Sequence, residues 1–174
     1  ECLHAHWDFD RHPKYTHPQS PNYRFRLLPL EQKLACLDAI YQFHLLVAAQ
    51  GYAAIDFYDG SILYDFDAGR TTICDIDFYR PGPWLNGMGR MWGSSRFMSP
   101  EEFTLGATID EITNVYTMGA TAFELLGSNR ERNIATWSAP TALFQVAQRA
   151  VSPDRARRQQ SLAAFYREWQ AALG

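Results

Sequence analysis

The stretch DEITNVYTMGATAFELL, residues 110–126, places Ile112, Val115, Tyr116, Met118, Ala122, Phe123, Leu125 and Leu126 around nearly the whole circumference of a helix. A helix that is apolar on every side has no face for water and belongs in the middle of a core. Other helices must surround it, and three segments qualify. From Leu30 to Ala49 the set Leu34, Leu37, Ile40, Tyr41, His44, Leu45 and Ala48 recurs at helical spacing, with Pro29 suited to the start and Gly51 to the end. Two amphipathic segments follow, at 140–150 and 159–172, the second with Leu162, Phe165, Tyr166 and Trp169 on one face.

The strand signal is confined to one place. The runs SILYDF (61–66) and TTICDIDF (71–78) are rich in β-branched and aromatic residues and are joined by Asp67-Ala68-Gly69-Arg70, which predicts a β-hairpin. Residues 79–99 hold two prolines and four glycines and read as a long irregular segment, a kind that is usually functional or disordered. Residues 1–29 carry four of the five histidines together with Pro13, Pro18, Pro21 and Pro29. Proline at that density breaks regular structure, so an irregular connector is expected there, with one domain over 30–174. The expected fold class is mainly α with a small β-hairpin.

Composition narrows the function classes. With 174 residues, 47% of them hydrophobic and 20% charged, the chain can bury a sizeable core and is not a disordered or fibrous sequence. A net charge of −3 with no basic block gives a nucleic-acid surface no support. No apolar run approaches the roughly 18–20 residues of a membrane span, and no signal-peptide pattern opens the chain. Cys2, Cys36 and Cys74 are read as reduced thiols, so a cytoplasmic protein without membrane or nucleic-acid partners is expected. The chain begins at Glu1 rather than methionine, and its first 29 residues lack a clear core pattern. It is therefore expected to be the C-terminal part of something longer.

Asp56 lies between the first long helix and the hairpin, while Asp75 and Asp77 lie at the end of the hairpin's second strand. A hairpin of this length folds back so that its approach and its exit come close, and Asp56 and Asp75 then face one cleft. Carboxylates gathered there suit magnesium, a hard cation that shares oxygen ligands with substrate phosphates. A carboxylate left off the metal can orient or deprotonate a hydroxyl. The competing reading is that aspartates sit at turns because they cap them. That reading is preferred for Asp59, Asp65 and Asp67 and stays open for Asp56 and Asp75.

Five motifs in this order resemble the C-terminal lobe of the protein-kinase-like phosphotransferases, over roughly residues 30–170. IDFYDGSIL resembles the catalytic loop, with Asp56 in the place of the catalytic aspartate and Ser61 in that of the metal-binding asparagine. DID at 75–77 resembles the DFG motif, with Asp75 as the metal-binding aspartate and Asp77 as a secondary ligand. GSSRFMSPE resembles the end of the activation segment, Ser99-Pro100-Glu101 standing for Ala-Pro-Glu. NVYTMGATAFELLG resembles the lobe's central buried helix, with Asn114 at its start as a structural residue. SPDRARR resembles the segment whose last arginine, here Arg158, pairs with the glutamate, here Glu101.

The resemblance implies phosphoryl transfer from ATP, dependent on magnesium, to a hydroxyl acceptor that is either a protein Ser/Thr or a small molecule. The sequence also departs from the family. Ala54-Ile55 replaces the usual His-Arg, Tyr58 replaces a lysine, and Ile76-Asp77 replaces Phe-Gly, closer to small-molecule kinases of the aminoglycoside and choline type. The glycine-rich phosphate loop and strand lysine of an N-terminal lobe have no counterpart here, so the isolated chain is expected to fold but not to turn over ATP. These departures keep a second reading open, a non-catalytic pseudokinase or interaction module. Three lesser candidates remain. Cys2, His4, His6, His12 and His17 have side chains suited to zinc but no closed-site spacing. His44 reads as a hydrogen-bonded core histidine. Ser94 and Ser95 read as weak modification sites, because no arginine stands at position 55 to reward a phosphate.

Overall fold

The structure, a computed structural model, describes residues 1–5, 13–128 and 131–174. The described chain is mainly helical: α1 (Pro21–Arg26), α2 (Leu30–Ala49), α3 (Glu111–Leu126), α4 (Thr141–Ala150) and α5 (Leu162–Leu173). Six short strands, β1 (Tyr52–Ala53), β2 (Ile62–Asp65), β3 (Arg70–Ile73), β4 (Arg80–Pro81), β5 (Trp84–Leu85) and β6 (Thr108–Ile109), pair antiparallel as β1–β4, β2–β3 and β5–β6. No described helix is long and apolar enough to cross a membrane.

Helix α3 is the axis of the core. Asp110 caps it, its carboxylate accepting from the amides of Ile112 (2.9 Å) and Thr113 (3.3 Å). From Thr113 onward every residue but Tyr116 is buried. Around it pack Leu37, Ile40 and Tyr41 of α2, Leu143 and Ala147 of α4, and Phe165 and Trp169 of α5. Tyr41 meets Phe165 and Trp169 edge-on, with ring centroids 5.0 and 5.3 Å away. The approach of α4 to α3 is close enough to require glycine: a Cβ on Gly119 would stand 2.7 Å from that of Ala150.

The long helices fall where the apolar periodicity predicts them. The first 29 residues differ from their expected irregularity. Leu3 and Phe25 are buried in the core, and Pro21 opens α1 from a first-turn position that needs no amide hydrogen. Residues 1–3 run along β2, with the amide of Leu3 donating to Ile62 (3.0 Å) and that of Tyr64 donating to Glu1 (2.8 Å). They satisfy strand-edge groups that a two-stranded hairpin would leave open. The hairpin is also shorter than predicted: β3 stops at Ile73, because Asp75 takes a left-handed backbone (φ 57°) that no strand can continue through. The 79–99 segment is tied down by β4 and β5, each through a two-residue ladder.

Candidate active site

The segment 54–61 joins β1 to β2 and is fastened at its start to the first turn of α3. Asn114 holds its start: its side-chain Oδ1 accepts from the Ala54 amide (2.8 Å), and its Nδ2 donates to the Ala54 carbonyl (2.7 Å). Ala54 and Ile55 are buried, and Asp56 emerges half-buried with φ 61°. A left-handed conformation costs a non-glycine residue about 1–3 kcal/mol, though aspartate adopts it more readily than most. Asp75 shares that backbone conformation at the far end of the hairpin and is exposed. The two carboxylates are electrostatic neighbours: burial raises the Asp56 pKa, the charge of Asp75 raises it further, and Arg90 offsets part of this.

The remaining predicted site residues separate into groups. Asp77 is exposed on the wall of an apolar cleft that also includes Ile55. Ser61 is fully buried at the end of a 3₁₀ turn, its hydroxyl turned toward the Asp56 carbonyl oxygen (3.5 Å) rather than to the solvent side. The irregular segment closes over Asp56 at Gly93 (φ 133°), where a Cβ would stand 3.5 Å from Asp56 Oδ1. Arg90 braces this turn by donating to the carbonyls of Met91 (3.0 Å) and Gly93 (3.1 Å).

Glu101 and Arg158 meet at the other end of that segment. Arg158, fully buried, donates through Nη1 to Glu101 Oε1 (2.7 Å) and through Nη2 to Oε2 (3.0 Å). Burial alone would raise the Glu101 pKa, but Arg158 beside it holds the carboxyl below its ordinary value. A second arginine, Arg155, shares Glu101 Oε1 (2.6 Å) and chelates Asp110 (2.8 and 2.7 Å).

A buried charge network under the Asp56 turn escaped the reading of the sequence. Asp59, assigned there to turn capping, is fully buried and receives Lys14 and Arg96 Nη2, the latter at 3.0 Å. The same two cations reach Glu124 of α3, at 3.1 Å from Lys14 and 2.7 Å from Arg96. Asn22 (3.1 Å) and Tyr15 (3.3 Å) add hydrogen bonds to Glu124. Burial and the charges of Lys14 and Arg96 lower the His4 pKa to about 4, so His4 adds no charge at neutral pH. Two carboxylates and two cations therefore balance, tying the first segment, the Asp56 turn, the 79–99 segment and α3 together. One signal for it was present. Glu124 inside an otherwise apolar helix demands a buried cation.

Among the described residues no group of three or more His, Cys, Asp or Glu side chains stands close enough together to hold a metal ion. Asp56 and Asp75 do form a carboxylate pair whose mutual repulsion a divalent cation would relieve, and magnesium needs only one or two carboxylates when phosphates complete its shell. Of the zinc candidates, His6 and His12 lie outside the described residues, and the Cys2 thiol points at the Gly60 carbonyl (3.4 Å). His44 is fully buried, its Nδ1 donating to the Ile40 carbonyl (2.8 Å) and its Nε2 accepting from the Tyr79 hydroxyl (2.8 Å). No protein-family model matches the chain, and no curated protein matches it.

Proposed function

We propose that this chain is the C-terminal lobe of a protein-kinase-like phosphotransferase and carries the base and metal half of a site that moves a phosphoryl group from ATP to a hydroxyl acceptor in the cytoplasm. The observation that carries this reading is the pairing of Asp56 with Asp75. Both stand at left-handed positions on a clamped turn and a hairpin exit, and the charge of Asp75 acts on Asp56. Asp56 is the base or orienter: its carboxylate takes the acceptor hydroxyl's proton, and a pKa raised from the usual range improves it for that task. Asp75 is the principal magnesium ligand, with Asp77 as the secondary one. Bound magnesium would neutralise charge developing on the transferred group. Asn114 positions Asp56 through Ala54.

The placement of Ser61 favours a second reading, a non-catalytic module that keeps the fold and not the turnover. Its side chain is fully buried, with the hydroxyl 3.5 Å from the Asp56 backbone carbonyl oxygen, whereas Asp75 is exposed. Calorimetry on the intact protein decides between them. Under the catalytic reading, Asp75→Asn abolishes magnesium-dependent nucleotide binding, while Asp67→Asn in the hairpin turn leaves it unchanged. Asp56→Asn lowers turnover by about 10²–10⁴-fold with nucleotide binding nearly intact. Equal nucleotide affinity in wild type and Asp75→Asn supports the non-catalytic module.

A further inference from the structure

Beside Asp56 lies a cleft of about 480 Å³, walled by Phe78, Trp84, Met88, Met91 and Trp92 with Ile55 in its lining. Cavities of roughly 300–1,000 Å³ with mainly apolar walls are the usual dimensions of small-molecule sites. Its rim holds exposed large apolar side chains: Phe78 is 47% exposed, Met88 54%, Trp92 58% and Leu85 67%. An apolar surface gathered in this way marks a contact site.

Some polar groups of the cleft are engaged, while the buried Trp84 Nε1 has no hydrogen-bond partner among the described residues. The Asn86 amide donates to the carbonyls of Gly89 (2.6 Å) and Glu101 (3.1 Å), and its oxygen accepts from the Met88 amide (2.9 Å). The Arg80 guanidinium lies over the Trp84 ring, 3.9 Å from its centroid. Asp77 brings a carboxylate with no hydrogen-bond partner among the described residues, one charge against a wall of aromatic and thioether groups. Two lining residues adjoin the Asp56 site along the chain: Ile55 precedes Asp56, and Trp92 precedes Gly93, where a Cβ would stand 3.5 Å from Asp56 Oδ1.

We propose that the hydroxyl acceptor carries a large apolar group, aromatic or branched, next to its hydroxyl, and that this cleft reads that group. The inference rests on the phosphoryl-transfer reading and narrows it. A sugar or an aminoglycoside would leave many of its polar groups unmatched against these walls, and burying a polar group without a partner is costly. The shared chemistry is an apolar alcohol, supplied either as a free molecule or as a serine or threonine flanked by an apolar residue.

The test is ligand-observed NMR titration of the chain with 3-phenylpropanol, N-acetyl-Ser-Phe-amide, glucose and an aminoglycoside. The two apolar alcohols are expected to bind at up to about 10 mM, the range that so few heavy atoms can reach. Trp92→Ala and Met88→Asp, at exposed positions, are expected to weaken them about tenfold or more, the loss of one well-packed apolar contact. Tighter binding of the peptide assigns a peptide acceptor, and tighter binding of phenylpropanol a free one. No binding of either alcohol overturns the inference, as does glucose or aminoglycoside binding that Trp92→Ala abolishes, or apolar binding that both variants leave unchanged. A failed titration counts against the cleft alone, and undiminished turnover by Asp56→Asn counts against the phosphoryl-transfer reading alone.

Discussion

Asn114 and Ala54 are 60 residues apart and exchange two hydrogen bonds, at 2.8 and 2.7 Å, inside the core. The clamp joins the axial helix to the residue two places before Asp56, so the backbone of the candidate site is registered against the most buried element. Asn114→Ala leaves a buried amide and a buried carbonyl without partners, each worth about 1–3 kcal/mol. The expected loss is about 2–4 kcal/mol in denaturant melts. Asn114→Asp should also destabilise, because a carboxylate accepts from the Ala54 amide but repels its carbonyl. A loss below about 0.5 kcal/mol for Asn114→Ala, the range of ordinary surface changes, would show that the turn is held otherwise.

Glu101 has two arginines of unequal standing. Arg158 is fully buried, whereas the Arg155 side chain is 29% exposed and also serves Asp110. Removing one member of the buried pair strands the other charge, at about 3–5 kcal/mol. Glu101→Ala and Arg158→Ala should each cost about that much, and the double variant much less than their sum. Arg155→Ala should cost about 1 kcal/mol, nearer to a surface pair. Additive, sub-kcal effects in the double-mutant cycle would mean that the 79–99 segment is not anchored through Glu101.

The helices were legible because periodicity reports burial directly. Leu30–Ala49 and the nearly all-apolar Glu111–Leu126 stand where Pro29, Gly51 and the apolar spacing put them. The first 29 residues were not legible. Their core contribution comes from scattered side chains, Leu3, Lys14 and Phe25, each placed by a long-range partner and not by a local repeat. The hairpin is shorter than its residue types predict, since Asp75 ends its strand by a backbone conformation that residue type does not reveal. Among the site residues, the proximity of Asp56 and Asp75 followed from the hairpin's return. The burial of Ser61 and Asp59 depended on which way a 3₁₀ turn faces, and spacing carries no information on that.

The Lys14–Asp59–Arg96–Glu124 network sets the order of the closing segment. Arg96 is its tie to the Asp56 turn and to α3, through Asp59 (3.0 Å) and Glu124 (2.7 Å). Arg96→Met leaves Lys14 as the one cation of the four-membered network beside two buried carboxylates. Amide exchange over residues 91–98 should then accelerate, while α4 and α5 keep wild-type protection. Lys14→Met should destabilise globally by about 3–5 kcal/mol, with much of that recovered in Lys14→Met/Glu124→Gln, which restores charge balance. Unchanged exchange in the Arg96 variant would remove the network from any role in holding the segment.

Two buried groups should make opposing contributions to the pH dependence of stability. Burial lowers the His44 pKa to about 4 from 6.5, with the bond to Ile40 pulling it back. Between those values the unfolded chain binds more protons than the folded one, so the His44 contribution rises with pH and is lost as pH falls from 6.5 toward 4. Glu102 runs the other way. Burial raises it from 4.5 to about 7, against the hydrogen bonds it accepts from the Ser99 amide (2.7 Å) and hydroxyl (2.9 Å). Its folded form binds more protons between those values, so its contribution is complete below pH 4.5 and lost as pH rises to 7. Each effect is worth about 3 kcal/mol, and in the wild type they largely cancel between pH 4.5 and 6.5. His44→Gln should therefore lose stability with rising pH relative to wild type, and Glu102→Gln should gain it. Urea melts of the three proteins at pH 4.5 and 6.5 measure the difference. Parallel curves would show that neither group is as strongly perturbed in the folded chain as its burial requires.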